Sequence, residues 1–147
     1  MSHHIALGSA GWERPDWSDS FYPSDMPEEW RLTYFNTQFE CVFLTADVWR
    51  CAGPEAYAAW AGDSHERFVF LLEDARPDEV PAVLADKALG VGKEDARLLW
   101  FDRETSLKLL AGRLAEGEAA SPLFLLSADG DLGQIERVRT LLELMAL

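Results

Sequence analysis

The sequence is poor in cysteine and in histidine. Its two cysteines, Cys41 and Cys51, are not arranged as a Cys-x-x-Cys pair. This usage predicts a reduced, cytoplasmic environment rather than a disulfide-rich secreted one. Of the three histidines, two lie within the first four residues, and His65 is the third. A zinc site built from histidine and cysteine is therefore not expected, and no histidine close in sequence would activate either thiol.

Long apolar runs and an excess of basic residues are also missing. No run reaches the roughly 18 apolar residues of a membrane span, and no basic-then-apolar leader precedes the first strand. Thirteen Lys and Arg against 26 Asp and Glu give a net charge of -13. Because this charge repels phosphate groups, we expect neither a nucleic-acid nor a membrane partner. A cation, or a partner that is basic or neutral, is more compatible with this charge. The charge is also explained if it only keeps the protein soluble.

What is present is enough apolar chain for one α/β domain over residues 1–147, with 48% hydrophobic residues. Short segments of nearly continuous apolar residues predict strands covered on both faces, as in a parallel sheet. The predicted strands are Ile5–Gly8, Cys41–Thr45, Arg67–Leu72, Arg97–Phe101 and Leu123–Ser127.

Helical patterns fill the intervals between these strands. Asp25 and Glu28 resemble a capping box that opens a first helix, and Asp131 with Gln134 resembles a second one. Gly90 is interpreted as the stop of a middle helix. The other predicted helices are Pro54–Trp60, Pro77–Leu89, Thr105–Glu116 and Asp131–Leu147. The result is about five β-α units, which favours a parallel sheet with right-handed crossovers.

The N-terminal third carries a distinctive pattern of glycine and aromatic residues. It consists of Gly8-Ser9-x-Gly11-Trp12, Trp17, Phe21-Tyr22-Pro23, Trp30, Tyr34 and Phe39. This pattern resembles the YecE-like family, the uncharacterised domain family numbered 72, most strongly over residues 5–50. The resemblance implies a (β/α)₈ barrel whose biochemical activity is not established.

The length of the chain departs from that resemblance. A (β/α)₈ barrel typically takes about 250 residues, and five units cannot close one. The sheet is therefore expected to be open or a partial barrel, with a flavodoxin-like doubly wound sheet as the alternative.

Three polar positions of the family pattern have changed class. The family's second strand places a glutamate and an asparagine where this chain has Phe43 and Thr45, and a lysine on the third strand is replaced by Glu73. If those residues carry the family's chemistry, this chain has lost it. Removing a buried carboxylate is stabilising where no function requires the charge.

Ligands of such sheets bind at the carboxyl ends of the strands. The candidate ligand-binding residues predicted at those ends are Ser9, Trp12, Asp47, Trp49, Arg50 and Glu73. Asp74, Asp102 and Asp129 are weak candidates for a divalent cation, although Asp102 and Asp131 also lie where helix caps belong. The aromatic cluster of Trp12, Trp17, Phe21, Tyr22 and Trp49 either stacks on a ligand or covers the end of the sheet, and the structural role is favoured.

These observations favour a shortened, non-catalytic relative of the barrel domains that binds a partner or associates with itself as a homo-oligomer. Two alternatives stay open. One is a metal-dependent hydrolase that uses the acidic residues at the strand ends. The other is a module that binds an unidentified small ligand in an aromatic pocket. No cofactor is implied by any motif.

Overall fold

The computed structural model describes residues 5–115 and 123–146, which form a six-stranded parallel sheet with helices between the strands. The strands are β1 (Ile5–Ala10), β2 (Cys41–Leu44), β3 (Val69–Glu73), β4 (Ala88–Val91), β5 (Leu98–Phe101) and β6 (Leu123–Ser127). The helices are α1 (Arg31–Gln38), α2 (Ala46–Ala52), α3 (Pro54–Asp63), α4 (Leu107–Ala115) and α5 (Leu132–Leu144). Three 3-10 turns cover Pro15–Trp17, Glu28–Trp30 and Ala82–Leu84. The strand order is β4-β3-β2-β1-β6-β5.

The two faces of the sheet are buried in different ways. Side chains that alternate along the strands point to opposite faces, and one set packs against residues of the helices, such as Phe35, Trp60 and Val138. Among the described residues, the other set packs against other strand residues alone. This inner core consists of Ala6, Cys41, Phe43, Leu71, Val91, Leu98, Phe124 and Leu126, with Val69, Leu89 and Trp100 packed against it.

The inner core is buried because the sheet curls. The rings of Phe43 on β2 and Trp100 on β5 have centroids 5.0 Å apart and pack edge to face. In the sheet order, β1 and β6 lie between those two strands, a separation of about 14 Å in a flat sheet. The contact therefore crosses a concave face.

The fold is thus an open, barrel-like α/β half-barrel, as one of the two sequence interpretations predicts. The flavodoxin-like alternative is wrong, because a doubly wound sheet carries helices on both faces and the inner core here contains strand residues alone. The six strands are two fewer than the eight of a closed barrel. The first strand still pairs with the last, β6, as it does in a closed barrel.

The predicted helix Pro77–Leu89, with Gly90 as its stop, is wrong. This stretch contains a 3-10 turn and the strand β4, so the sheet has six strands where five were expected. Pro81 explains the failure, since a proline in a helix interior removes a hydrogen bond and clashes with the preceding turn. Gly90 pairs with Leu72 in the sheet, and a Cβ there would lie 2.0 Å from the Ala75 carbonyl oxygen.

The predicted capping box at Asp25 is also wrong. The segment from Glu28 to Trp30 is a 3-10 turn behind Pro27, with no side-chain cap, and α1 starts only at Arg31. Half of the second box is confirmed, because the Asp131 carboxylate accepts a hydrogen bond from the Gln134 amide at 3.0 Å. The reciprocal half is wrong, because the Gln134 side chain donates to the Thr105 carbonyl and the Asp131 amide donates to Asp129. The helix α2 was not predicted at all.

The remaining predicted limits are right to within a few residues. β1 runs two residues beyond Gly8, α3 runs on to Asp63, and α4 starts at Leu107 rather than Thr105. Glu116 and Leu147, the expected last residues of two helices, lie outside the described residues.

A six-residue connection, residues 92–97, joins β4 to β5, the two edge strands. The Asp95 carboxylate accepts hydrogen bonds from Nε and Nη2 of Arg97 at 2.9 and 2.8 Å. The Arg97 backbone amide also donates a hydrogen bond to this carboxylate. Together these hydrogen bonds lower the pKa of Asp95 to about 2. The Trp100 indole also donates to the Lys93 carbonyl at 3.0 Å. The connection is therefore held by its own side chains against β5.

Two further expectations concern the membrane and the cysteines. Among the helices of the described residues, none combines the length and the apolar character required to cross a membrane.

Cys41 is fully buried in the inner core, where burial and the nearby Glu40 raise the pKa of its thiol well above the ordinary value. It packs as a small hydrophobic residue, as expected.

Replacement of Gly8 tests the close approach of β1 and β2. A Cβ at Gly8 would lie 2.1 Å from the Cys41 carbonyl oxygen and 2.6 Å from its Sγ. Gly8→Ala is expected to lower the free energy of unfolding by about 2 kcal/mol or more, because the strands must separate. Gly112→Ala is the control: it lies in α4 with no heavy atom near the added Cβ, so it is expected to stabilise the protein by about 0.5 kcal/mol. Urea unfolding measures both, and equal stabilities would contradict this account.

Candidate functional site

The described residues enclose a cavity of about 620 Å³ at the carboxyl ends of β1 and β2, here called the mouth cavity. One wall comes from the end of β1 and the residues after it, and the opposite wall comes from α2 and α3. The floor comes from the end of β2. The lining residues are Ala10, Gly11, Trp12, Glu13, Phe43, Leu44, Thr45, Val48, Ala52, Ala56 and Trp60. The cavity lies where ligands of parallel α/β sheets and barrels bind.

The walls of the mouth cavity are mainly apolar and are held by aromatic packing. The indole rings of Trp12 and Trp60 meet edge to face, with centroids 5.4 Å apart and an interplanar angle of 89°. Trp60 also stacks on Phe70 of β3 at 5.9 Å. The Trp12 carbonyl accepts a hydrogen bond from the Tyr22 hydroxyl. These contacts fix the two indoles before any ligand arrives.

Glu13 contributes the charged group of the lining. Partial burial and the neighbouring carboxylate of Glu28 raise its pKa, and the positive charge of Arg31 opposes that rise. No hydrogen bond contributes to the shift, and within residues 5–115 and 123–146 no salt bridge engages this carboxylate. A carboxylate with a perturbed pKa in the wall of a cavity marks a candidate site.

Glu73, a predicted ligand residue, instead supports a helix. Its Oε1 accepts a hydrogen bond from the Ala46 amide at 2.9 Å, at the first residue of α2. The N-cap residue of that helix, Thr45, provides no side-chain cap of its own. A carboxylate at this position satisfies an unpaired amide and interacts favourably with the helix dipole.

Of the predicted ligand residues, Trp12 lines the mouth cavity, and Ser9, Asp47, Trp49, Arg50 and Glu73 lie outside its lining. Ser9 is buried, and its hydroxyl donates to the Gly11 carbonyl at 2.7 Å. The Trp49 indole is also buried and donates to the Glu73 carbonyl at 2.9 Å. Asp47 is exposed in the first turn of α2. Arg50 covers the Trp49 ring at 4.8 Å and pairs with Glu79 at 3.3 Å.

The three weak metal candidates occupy separate turns. Asp102 accepts a hydrogen bond from the Glu104 amide at 2.9 Å, and Ser106 rather than Asp102 bonds the first turn of α4. Partial burial opposes ionisation of Asp129, but hydrogen bonds from the Arg103 and Asp131 amides lower its pKa overall. Asp74 is exposed and has a left-handed backbone, with φ of 56°. Within the described ranges, no three His, Cys, Asp or Glu side chains come together in a metal-ligand arrangement.

The other aromatic residues of the N-terminal pattern lie in the core. Trp17 is fully buried and stacks on Phe39 at 6.1 Å. Its indole donates to the Gly130 carbonyl at 2.8 Å, which ties the segment after β1 to the segment after β6. Phe21 packs between Trp17 and Tyr34, at 4.8 and 5.1 Å. Trp17, Phe21 and Tyr22 therefore belong to the core on the helix side of the sheet rather than to a ligand site, whereas Trp12 of the same cluster lines the mouth cavity.

Sequence reasoning missed Glu13 and most of the apolar lining. The strand β1 was expected to end at Gly8, so the residue after Trp12 was not counted among the strand ends. The observed strand continues to Ala10, which brings Glu13 to the rim. The apolar lining residues, such as Ala52 and Ala56, lie on α2, which was not predicted, and on α3. Ala56 and Trp60 are four residues apart within the predicted helix Pro54–Trp60, and this spacing is the signal that could have indicated one helix face.

The fold and the cavity define an α/β half-barrel with an apolar cavity at the carboxyl ends of its first two strands. Residues 6–75 match the model of a family described as "Protein of unknown function DUF72". This family is the YecE-like family, so the resemblance is confirmed over residues 6–75.

Comparison with solved structures finds a DUF72 family protein from Enterococcus faecalis V583, with 15% sequence identity and a TM-score of 0.35. The match covers 98% of this chain and 59% of that one, so this chain spans about 59% of the length of that relative. The comparison with curated proteins gives no match.

Removal of the Glu73 carboxylate tests its assignment to α2. Glu73→Ala is expected to lower the free energy of unfolding by about 1 kcal/mol, because the Ala46 amide loses its partner. Glu73→Gln keeps an oxygen that can accept this bond and is expected to cost less. Thermal unfolding of both variants measures the difference. If Glu73→Ala is as stable as the parent protein, Glu73 does not support α2.

Proposed function

We propose that the protein binds a small, mainly apolar molecule in the mouth cavity and does not transform it. The observation that carries this proposal is the cavity itself. Its volume of about 620 Å³ falls within the range of about 300–1,000 Å³ that is typical of small-molecule sites. Apolar and aromatic walls with few polar groups are likewise typical of such sites.

The composition of the lining supports binding rather than catalysis. Its side chains include one carboxylate, that of Glu13, and one hydroxyl, that of Thr45. General acid-base chemistry commonly relies on two titratable groups in different environments. Phe43 and Thr45 lie in the lining at positions where the family pattern has a glutamate and an asparagine, and Glu73 is engaged with α2. At all three altered positions, therefore, the cavity lacks the polar side chain that the family pattern has there.

Access to the cavity supports reversible binding. Val48 lines the cavity and keeps 51% of its surface exposed, and Thr45 beside it is exposed as well. An apolar side chain that is half exposed at the rim offers a surface for a ligand to cover. Burial of apolar surface contributes about 25 cal/mol per Å² to such binding.

Self-association and a cytoplasmic location stay predictions within this proposal. The observation that favours self-association is that the half-barrel ends in two edge strands, since β4 pairs only with β3 and β5 only with β6 among the described strands. Unpaired backbone groups on such edges are templates for pairing with another chain. The mass of the protein in solution decides between a monomer and a homo-oligomer.

Filling the cavity tests the proposed function. Ala56 of α3 lines the cavity, so Ala56→Leu places an isobutyl group in the space that a ligand needs. In ligand-observed NMR with a set of aromatic and aliphatic fragments, we expect fragments that bind the parent protein to lose most of their affinity for this variant.

Ala59→Leu is the matched control, because Ala59 is exposed on the same helix and lies outside the lining. It is expected to bind the same fragments as the parent protein does. Two results would overturn the proposal: no fragment binds the parent protein, or Ala56→Leu binds as well as Ala59→Leu while remaining folded.

A further inference from the structure

We infer that the ligand of the mouth cavity is an organic amine, a cation with an apolar body, and that Glu13 binds its ammonium group. This inference rests on the proposed function and names the class of molecule that the same cavity takes. It is carried by the lining of the cavity, in which Glu13 is the one charged side chain and Trp12 and Trp60 are the two indoles.

Three carboxylates at this end of the sheet are, by contrast, engaged by backbone amides. Glu73 accepts from the Ala46 amide, Asp129 from the Arg103 and Asp131 amides, and Asp102 from the Glu104 amide. The Glu13 carboxylate differs, since no hydrogen bond or salt bridge reaches it from any residue that the structure describes. Because Glu13 is also exposed at the rim, its carboxylate is open to a charged donor that a ligand brings into the cavity.

The nearby cation, Arg31, is engaged elsewhere. Its guanidinium lies 5.3 Å from the centre of the Tyr22 ring and donates from Nη2 to the Ser18 hydroxyl at 3.3 Å. Arg31 therefore acts on Glu13 only through its charge, which Glu28 counteracts from the same segment. Partial burial and the charge of Glu28 together outweigh the charge of Arg31, so the pKa of Glu13 is raised.

The rest of the site suits a cation and disfavours an anion. Indole rings attract cations through their negative faces, and Trp12 and Trp60 both line the cavity. The net charge of -13 raises the local concentration of small cations and repels anions. A neutral molecule would occupy the apolar walls but would form a weaker hydrogen bond to Glu13 than a charged donor forms.

Three indoles with the same ring and different side-chain ends test the inference: tryptamine, tryptophol and indole-3-propionate. They carry an ammonium, a hydroxyl and a carboxylate. Calorimetry at neutral pH with the full chain is expected to show tryptamine binding about tenfold more tightly than tryptophol, and indole-3-propionate binding most weakly. In Glu13→Gln, tryptamine is expected to fall to the level of tryptophol.

Glu55→Gln is the matched control, because it removes the same charge from an exposed position on α3 outside the lining. It is expected to keep the preference for tryptamine. A pH series on the parent protein gives a second measurement. Protonation removes the charge of Glu13, so tryptamine binding is expected to weaken as the pH falls. Because the pKa of Glu13 is raised, this weakening is expected to begin at a higher pH than for an ordinary glutamate. Tryptophol binding is expected to change little.

The outcomes separate the inference from the proposed function. Tryptophol binding as tightly as tryptamine, or an unchanged preference in Glu13→Gln, overturns the inference and leaves the cavity as a site for neutral molecules. Failure of all three indoles, while other fragments bind in a manner that Ala56→Leu abolishes, also overturns the inference alone. Failure of every fragment and every indole overturns the proposed function.

Discussion

The structure depends on burying the inner face of a parallel sheet without helices to cover it. In a closed barrel the opposite strands supply that cover. With six strands, the sheet instead curls until Phe43 of β2 meets Trp100 of β5 across the concave face. Two large aromatic side chains span a distance that smaller residues would leave open. The inner core is therefore filled by the strands alone.

The same constraint shapes the mouth cavity. Phe43 belongs to the inner core and also to the cavity lining, so the residue that closes the half-barrel forms an apolar floor where the family pattern has a glutamate. A carboxylate at that position would be buried against Trp100 without a partner, at considerable cost. One side chain, Phe43, thus connects the curling of the sheet with the apolar floor of the mouth cavity.

Much of the fold could be predicted from the sequence because apolar runs mark buried strands. Leu123–Ser127 was predicted with its observed limits, and the strand Cys41–Leu44 was predicted one residue too long at its carboxyl end. β4 was not predicted, since Ala88–Val91 is short, contains Gly90 and follows a helix-like pattern that Pro81 interrupts. Its place at the edge is set by pairing with β3, a long-range contact that local sequence does not show.

The candidate site was harder to predict than the fold. Trp12 was predicted because it follows the glycine pattern, whereas Glu13 and Ala56 line one cavity only in the folded chain. Glu73 has the residue type of a binding carboxylate, and nothing in its sequence neighbourhood shows that the Ala46 amide uses it. Residue type identifies possible chemistry, but the partner that each group has in the fold decides whether that chemistry is free for a ligand.

The most direct test of this account is a double-mutant cycle between Phe43 and Trp100, with each residue replaced by leucine alone and together. The account predicts a coupling free energy of about 0.5–1.5 kcal/mol in urea unfolding, as for other edge-to-face aromatic pairs. Strictly additive losses would mean that the two rings do not meet, and the half-barrel would not be closed as described.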